Sequence, residues 1–247
     1  MTYKIGILIP STSKGLNCKS YKDTHFYKIF LKSFIKTHDK QYINKIYLVV
    51  DDDDEIYSIE ENRNKINSLL NLINTIEIEF ISSKGIDKGW VTKMWNRAFE
   101  RAFEDGCDYF YQCGDDIEFL DNDWTKPCIE ILEKHNNIGL TGPIDWGREL
   151  WAQKYNVNQK FLMTQTFVSR KHMELFKCYF PPEIKNWYCD DWITFLYLSK
   201  NKCYCIRDKR IFNKGGDPRY EPVGKGVDSM RMTLLCKKLV KKYSKLL

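Results

Sequence analysis

Short apolar runs alternate with helically spaced apolar residues through the first half of the chain, and this alternation limits the fold more than any other feature. Lys4 to Pro10 is nearly continuous in apolar residues, as a strand covered on both faces requires. Residues 23–37 then place Phe26, Ile29, Phe30 and Phe34 at helical spacing, with Asp23 or Thr24 as the cap. Lys45 to Val50 reads as a second strand. Residues 60–73 read as a helix carrying Ile66, Leu69, Leu70 and Ile73 on one face. A half-exposed strand over Ile76 to Ile81, a helix over Val91 to Glu104 and an aromatic strand from Tyr109 continue the pattern. Strand and helix in alternation imply right-handed crossovers. The predicted fold class is therefore α/β, a Rossmann-like and mostly parallel central sheet with helices on both faces.

The chain has 247 residues, a length that fits one large domain or two small ones. No internal repeat and no Gly/Ser linker divides it, so one continuous domain over 1–247 is expected. Hydrophobic residues make up 43%, enough for a packed core and too many for a disordered chain. The nine cysteines form no Cys-x-x-Cys pair and are odd in number, which argues for reduced thiols rather than a zinc site or a disulfide framework. Ile5 to Ile9 is too short for a signal-peptide core, and no apolar run is long enough to span a bilayer. A cytoplasmic protein is the expectation.

The texture changes after Asp116. Residues 123–135 look helical, Ile138 to Ile144 is a strand, and residues 145–160 read as a long loop. Phe161 to Ser169 is a further strand, and His172 to Phe176 begins a short helix. Asp190-Asp191-Trp192 opens an apolar helix reaching Leu198. Cys203 to Phe212 is the last strand, before a Gly-rich loop and a terminal helix from about 226.

Chemistry concentrates in Tyr109 to Leu120. The aromatic strand delivers Asp115 and Asp116 side by side, with Glu118 two residues on. Carboxylates at the carboxyl end of a strand in an open α/β sheet face the ligand crevice. Two adjacent negative charges need a compensating cation, and a hard divalent ion, Mg2+ or Mn2+, holding a diphosphate suits them. The competing reading is an acidic turn in water, since Gly-Asp-Asp is a good turn sequence. The run Asp51 to Asp54 reads as a solvated acidic turn, which accounts for Asp53 and Asp54. No Gly-x-Gly-x-x-Gly and no P-loop sequence is present, which disfavours dinucleotide and P-loop sites.

These landmarks in order resemble the GT-A-type glycosyltransferases, in the pattern of the large inverting family (family 2) of nucleotide-sugar enzymes. The residues that carry the resemblance are Ile7-Leu8-Ile9-Pro10, the Asp pair after the second strand and Trp95-Asn96-Arg97-Ala98. With them go Gly114-Asp115-Asp116-Ile117 and Trp187-Tyr188-Cys189-Asp190-Asp191-Trp192. The resemblance covers about residues 4–213. It implies a GT-A domain whose nucleotide-binding half is 1–120 and whose acceptor and catalytic half is 121–225. The donor would be a UDP- or GDP-linked sugar and the acceptor a glycan, a protein or a small molecule.

Residue by residue, the resemblance implies that Asp51 or Asp52 accepts a hydrogen bond from the nucleobase. Pro10, Ser11 and Thr12 would border that base, and Asn96 would lie near the ribose or the sugar. Asp116 would ligate the metal, Mn2+ or Mg2+, with Asp115 beside it on the sugar-ribose side. Gly114 stands where many relatives carry a further Asp. Relatives often place a metal or diphosphate His after the last strand, but here His occurs only at 25, 38, 135 and 172. Asn213, Asp217 or water would have to serve, and His172 reads as an ordinary surface or packing residue.

Attack by an acceptor hydroxyl needs a base, and Asp191 at a helix start beside Trp192 fits that role. Asp190 would orient it or hold the acceptor; helix capping is the competing reading of the pair. Trp146, Trp151 and Trp187 suit sugar stacking or core packing. Arg148 and Lys171 suit a diphosphate, an acidic acceptor or a solvated face. The alternatives to transfer are a silent nucleotide- or carbohydrate-binding module and a sugar-phosphate nucleotidyltransferase. The latter lacks its Gly-rich, basic loop at Pro10–Gly15. The tail at 226–247 puts Leu235, Leu239, Tyr243 and Leu246 on one face and lysines on another, a docking helix with a solvated basic side. Weak contact with an anionic membrane surface is its alternative, and no nucleic-acid partner is expected.

Overall fold

The computed structural model describes residues 2–155, 161–216, 219–223 and 228–247. Its first half is built from β1 (Lys4–Ser11), β2 (Ile43–Val50), β3 (Ile76–Ser82) and β4 (Tyr109–Gln112). All four run parallel, with Ser11 opposite Val50, Val50 opposite Ser82, and Leu8 opposite Gln112. Their carboxyl ends therefore stop along one edge. The crossovers are a helix that opens as a wide π-type turn over Phe26–Leu31 and continues as α1 (Lys32–Thr37), then α2 (Glu60–Leu70) and α3 (Val91–Glu104).

The second half contributes β5 (Ile117–Phe119), α4 (Thr125–Lys134), β6 (Leu140–Asp145), α5 (Trp146–Tyr155), β7 (Thr166–Ser169) and α6 (Lys171–Phe176). It ends with α7 (Cys189–Leu198), β8 (Cys203–Asn213) and α8 (Asp228–Tyr243). One eight-stranded sheet results, in the order β3-β2-β1-β4-β7-β6-β8-β5. β7 is antiparallel to β4 and β6, β8 is parallel to β6, and β5 is antiparallel to β8. The α/β, Rossmann-like expectation agrees with this architecture.

Strand alternation divides the core between the two faces. Ile5, Ile7 and Ile9 pack with Phe26, Phe30 and Phe34 on one side. Leu8 packs with Phe99, Phe110 and Trp192 on the other. β1 approaches α3 so closely that a side chain on Gly6 would lie 3.0 Å from the Ala102 methyl. All nine cysteines are unpaired thiols, as their spacing implied. Among the described residues no helix is long and apolar enough to cross a membrane.

Four local readings differ from the sequence expectation. The stretch taken as a loop from 145 is helix α5, because the Asp145 carboxylate caps it, accepting from the Gly147 and Arg148 amides at 3.1 and 3.4 Å. Residues 156–160 lie outside the described residues. The strand expected from Phe161 starts only at Thr166, and Ile117–Phe119 forms an unexpected strand because β8 is long enough to pair with it. On α8 the buried face carries Met232, Cys236, Leu239 and Tyr243, while Leu246 is exposed. Trp192 and Tyr243 meet edge to face at 5.4 Å, so the tail docks on α7.

Candidate active site

A cleft of about 1010 Å3 opens along the carboxyl ends of β1, β2 and β4, at the upper end of ligand-site sizes, roughly 300–1,000 Å3. Gly114, Asp115 and Asp116 form its floor. They follow β4 directly, so the buried Tyr-Phe-Tyr-Gln strand fixes their position.

Asp115 is 1% exposed and fully engaged. Ser11 Oγ donates to its Oδ2 at 2.6 Å, and Ser11 is itself 3.1 Å from the Tyr57 hydroxyl. Arg219, in the segment after β8, grips both carboxylate oxygens and also donates to the Thr12 carbonyl. Asp116 has a different environment. Its carboxyl is pushed up to about 6, first by burial and then by the negative charge of Asp115, with Arg219 opposing. Two glycines cradle it. A side chain on Gly114 would come within 2.5 Å of Asp116 Oδ1, and one on Gly215 would overlap the carboxylate outright. A side chain at position 114 would therefore require the Asp116 carboxylate to move aside.

Asp190 lines the same cleft from the first turn of α7. Tyr188, just before it, holds a left-handed φ of 72°, a costly conformation for a bulky residue that aims the helix start. Burial pushes the Asp190 carboxyl up to about 7. Asp191 is half-buried but does not line the cleft, because successive helix positions point about 100° apart. Asp145, unremarked in the sequence, lines the cleft too. A bulge between Pro143 and Ile144 turns the end of β6 there, and burial raises its carboxyl. Thr164 Oγ1 donates to it at 3.0 Å.

The remaining predicted residues separate clearly. Pro10, Ser11, Thr12 and Asp51 line the cleft; Asp52 is exposed and lies outside it. Asn96 is not brought to the cleft. Its Oδ1 accepts from the Tyr179 and Phe180 amides, both at 2.9 Å, and its Nδ2 donates to the Phe180 carbonyl at 2.8 Å. The neighbouring Trp95 lines the cleft instead, donating to the Cys113 carbonyl at 3.1 Å.

Asp54 is not solvated as expected. It is fully buried and accepts from Ser13, Ile56 and Tyr57 amides at 2.6–3.0 Å, tying the β1 loop to the β2 loop. Asp53 stays exposed and pairs with Lys14 and Lys88 on the rim. Trp151, Trp187 and Arg148 line the cleft; Trp146 and Lys171 do not. His172 is buried packing, and Asp217 lies outside the described residues.

Besides Asp145, two residues of the site carry no signal that the sequence reading picks up. Arg219 sits in irregular loop sequence with no motif to mark it. His25 was discounted because it precedes the last strand, yet one of its ring nitrogens lies within 4.8 Å of carboxylate oxygens of both Asp115 and Asp116. A nitrogen with two carboxylate oxygens is a donor set that fits a divalent cation, and the buried His25 Nδ1 has no hydrogen-bond partner.

No protein-family model matches the chain, and comparison with curated proteins finds no match. Among solved structures the chain is similar to S. aureus TarS, with 12% identity and a TM-score of 0.57 over 96% of this chain. The match spans 39% of the TarS chain, and at that identity it shows a shared fold.

Proposed function

We propose that the chain is a metal-dependent, inverting glycosyltransferase that moves a sugar from a nucleotide-diphosphate sugar to an acceptor hydroxyl. One observation carries this reading: a single cleft is lined by the Asp115–Asp116 pair, with Arg219 on Asp115, and also by the carboxyl of Asp190 at the start of α7. The fold likeness to TarS, a glycosyltransferase, supports the same class.

The nucleoside lies against Pro10, Ser11, Thr12 and Asp51, where Asp51 accepts from the base. Lys14 and Lys88 on the rim, with Arg219 below, attract the diphosphate electrostatically. Asp116 is the carboxylate that holds a divalent cation, with Asp115 fixed beside it by Arg219 and Ser11. When bound, the ion stabilises the charge that builds on the departing diphosphate. Arg219 adds a second, permanently charged donor for the same oxygens.

Asp190 takes the acceptor proton. A carboxyl held near 7 accepts a proton at neutral pH far more readily than one held at 3.8, which is what general-base catalysis requires. The proposal thus moves the base from Asp191 to its neighbour, on the ground of which side chain reaches the cleft. Trp151 and Trp187 border the acceptor side as stacking surfaces. The test is release of UDP or GDP from a panel of nucleotide-sugars, measured with Mn2+ and with chelator. Metal-dependent release that Asp190→Asn slows by about 10²–10⁴-fold is expected, the usual range for a general base. Tight nucleotide binding without any release would identify a silent binding module instead, and exchange with pyrophosphate would identify a nucleotidyltransferase.

A further inference from the structure

We infer that His25 is a protein ligand of the divalent cation, reaching the acidic pair from the first crossover, and that it biases the site toward Mn2+ over Mg2+. The inference rests on the reading of Asp116 as the cation-holding carboxylate.

Three buried histidines in this fold can be compared. His38 bonds through Nδ1 to the Phe34 and Ile35 carbonyls and through Nε2 to the Thr75 hydroxyl at 3.0 Å. His172 bonds through Nδ1 to the Tyr197 hydroxyl at 2.8 Å and through Nε2 to the Tyr179 carbonyl at 3.1 Å. Both are packing residues with both ring nitrogens satisfied. His25 differs. It is only 8% exposed, and its Nδ1 is buried with no hydrogen-bond partner. Buried polar atoms in native folds are normally paired; of those left without a partner among the described residues, this is the one whose residue also sits beside two carboxylates.

The surroundings show which ligand fits. One ring nitrogen of His25 and carboxylate oxygens of Asp115 and Asp116 all lie within 4.8 Å of one another. An ion with bonds of 2.0–2.1 Å in octahedral geometry spreads its donors roughly 3–4 Å apart. The cluster therefore needs little contraction to close on an ion. Asp115 and Asp116 bring two negative charges, Arg219 one positive, and a divalent ion two more, leaving one positive charge. The arriving diphosphate supplies the balancing negative charge, so the ion should bind weakly alone and tightly with nucleotide. Mn2+ and Mg2+ share a taste for oxygen donors, but Mn2+, a transition ion, accepts an imidazole nitrogen more readily than Mg2+, which binds through oxygens and retained waters.

The experiment uses the full chain with MnCl2, alone and with UDP and GDP together, followed by electron paramagnetic resonance. Bound Mn2+ should show coupling to a histidine nitrogen in pulsed spectra. His25→Gln should lose that coupling and bind Mn2+ at least 10-fold more weakly, with Mg2+ affinity nearly unchanged. Bound Mn2+ without nitrogen coupling in the unaltered protein would overturn the inference, and that readout needs no variant to fold. Equal Mn2+ affinity in His25→Gln would overturn it as well. Nucleotide binding without any Mn2+ binding would sink the inference and leave donor recognition standing; loss of both would sink the proposed function with it.

Discussion

Arg219 holds both carboxylate oxygens of Asp115 across 104 residues of intervening chain, with the carboxylate 1% and the guanidinium side chain 17% exposed. The pair joins the loop after the last strand to the floor of the cleft. Removing one partner of a buried ion pair leaves the other charge uncompensated, at about 3–5 kcal/mol. Arg219→Ala should therefore lower the melting temperature by on the order of 10 °C. The double variant Arg219→Ala with Asp115→Asn should recover part of the loss seen in the two single variants, because neither charge is then stranded. Calorimetry of the four proteins checks this; strictly additive losses would show that the pair is not coupled.

The two raised carboxyls give a pH dependence of definite sign. Asp116 sits near 6 and Asp190 near 7, against an ordinary 3.8. Between these values the folded protein keeps protons that the unfolded chain has released. The stability these groups contribute is thus fully present below about 4 and falls as pH rises through 6 and 7. The ligand-free protein should lose thermal stability over that window, and Asp190→Asn should flatten the upper part of the loss. Turnover runs the opposite way: kcat/KM should climb with pH to a plateau with an apparent pKa near 7. A profile flat from pH 5 to 8 would remove Asp190 as the base.

Asn96 fastens α3 to the segment at Tyr179–Phe180 through three backbone contacts. Asn96→Ala strands those groups and should cost about 2 kcal/mol or more. Nucleotide affinity of the folded fraction should stay within about twofold, since a residue outside the cleft alters binding only through the fold. A large affinity loss at unchanged stability would instead put Asn96 at the ribose.

Gly215 should be sensitive although its loop carries little of the core. A methyl there overlaps the Asp116 carboxylate and must displace either that carboxylate or the loop. Gly215→Ala is expected to weaken Mn2+-dependent nucleotide binding at least 10-fold while shifting the melting temperature by only a few degrees, as surface changes away from the core do. Titration calorimetry decides it, and unchanged binding would show that the loop is not a wall of the site.

Much of this was legible because periodicity reports burial. The apolar runs at Lys4, Lys45, Ile76 and Tyr109 became the four parallel strands, and the position of Asp115–Asp116 followed from where the last of them stops. What sequence spacing cannot supply is side-chain direction within a motif and proximity across the fold. Asp190 and Asp191 are equivalent as letters, but the left-handed turn at Tyr188 decides which one enters the cleft. Asp54 looked solvated among three other acids, yet amides of two loops converge on it. Arg219 and His25 reach Asp115 from opposite parts of the chain, with no local pattern to mark either.

This cleft is proposed to bind a nucleotide-diphosphate sugar through Asp116, separately from the proton chemistry at Asp190. A thermal-shift panel of UDP, GDP and their sugars, with and without Mn2+, tests it on the unaltered chain, Asp116→Asn and Asp190→Asn. Ligand at 100 times its Kd stabilises the fold by about 2.7 kcal/mol, a readily measured shift. At least one nucleotide-sugar should raise the melting temperature of the unaltered chain and of Asp190→Asn in the presence of Mn2+, and Asp116→Asn should lose the Mn2+-dependent part. No shift with any member of the panel, or an equal shift in Asp116→Asn, would contradict it.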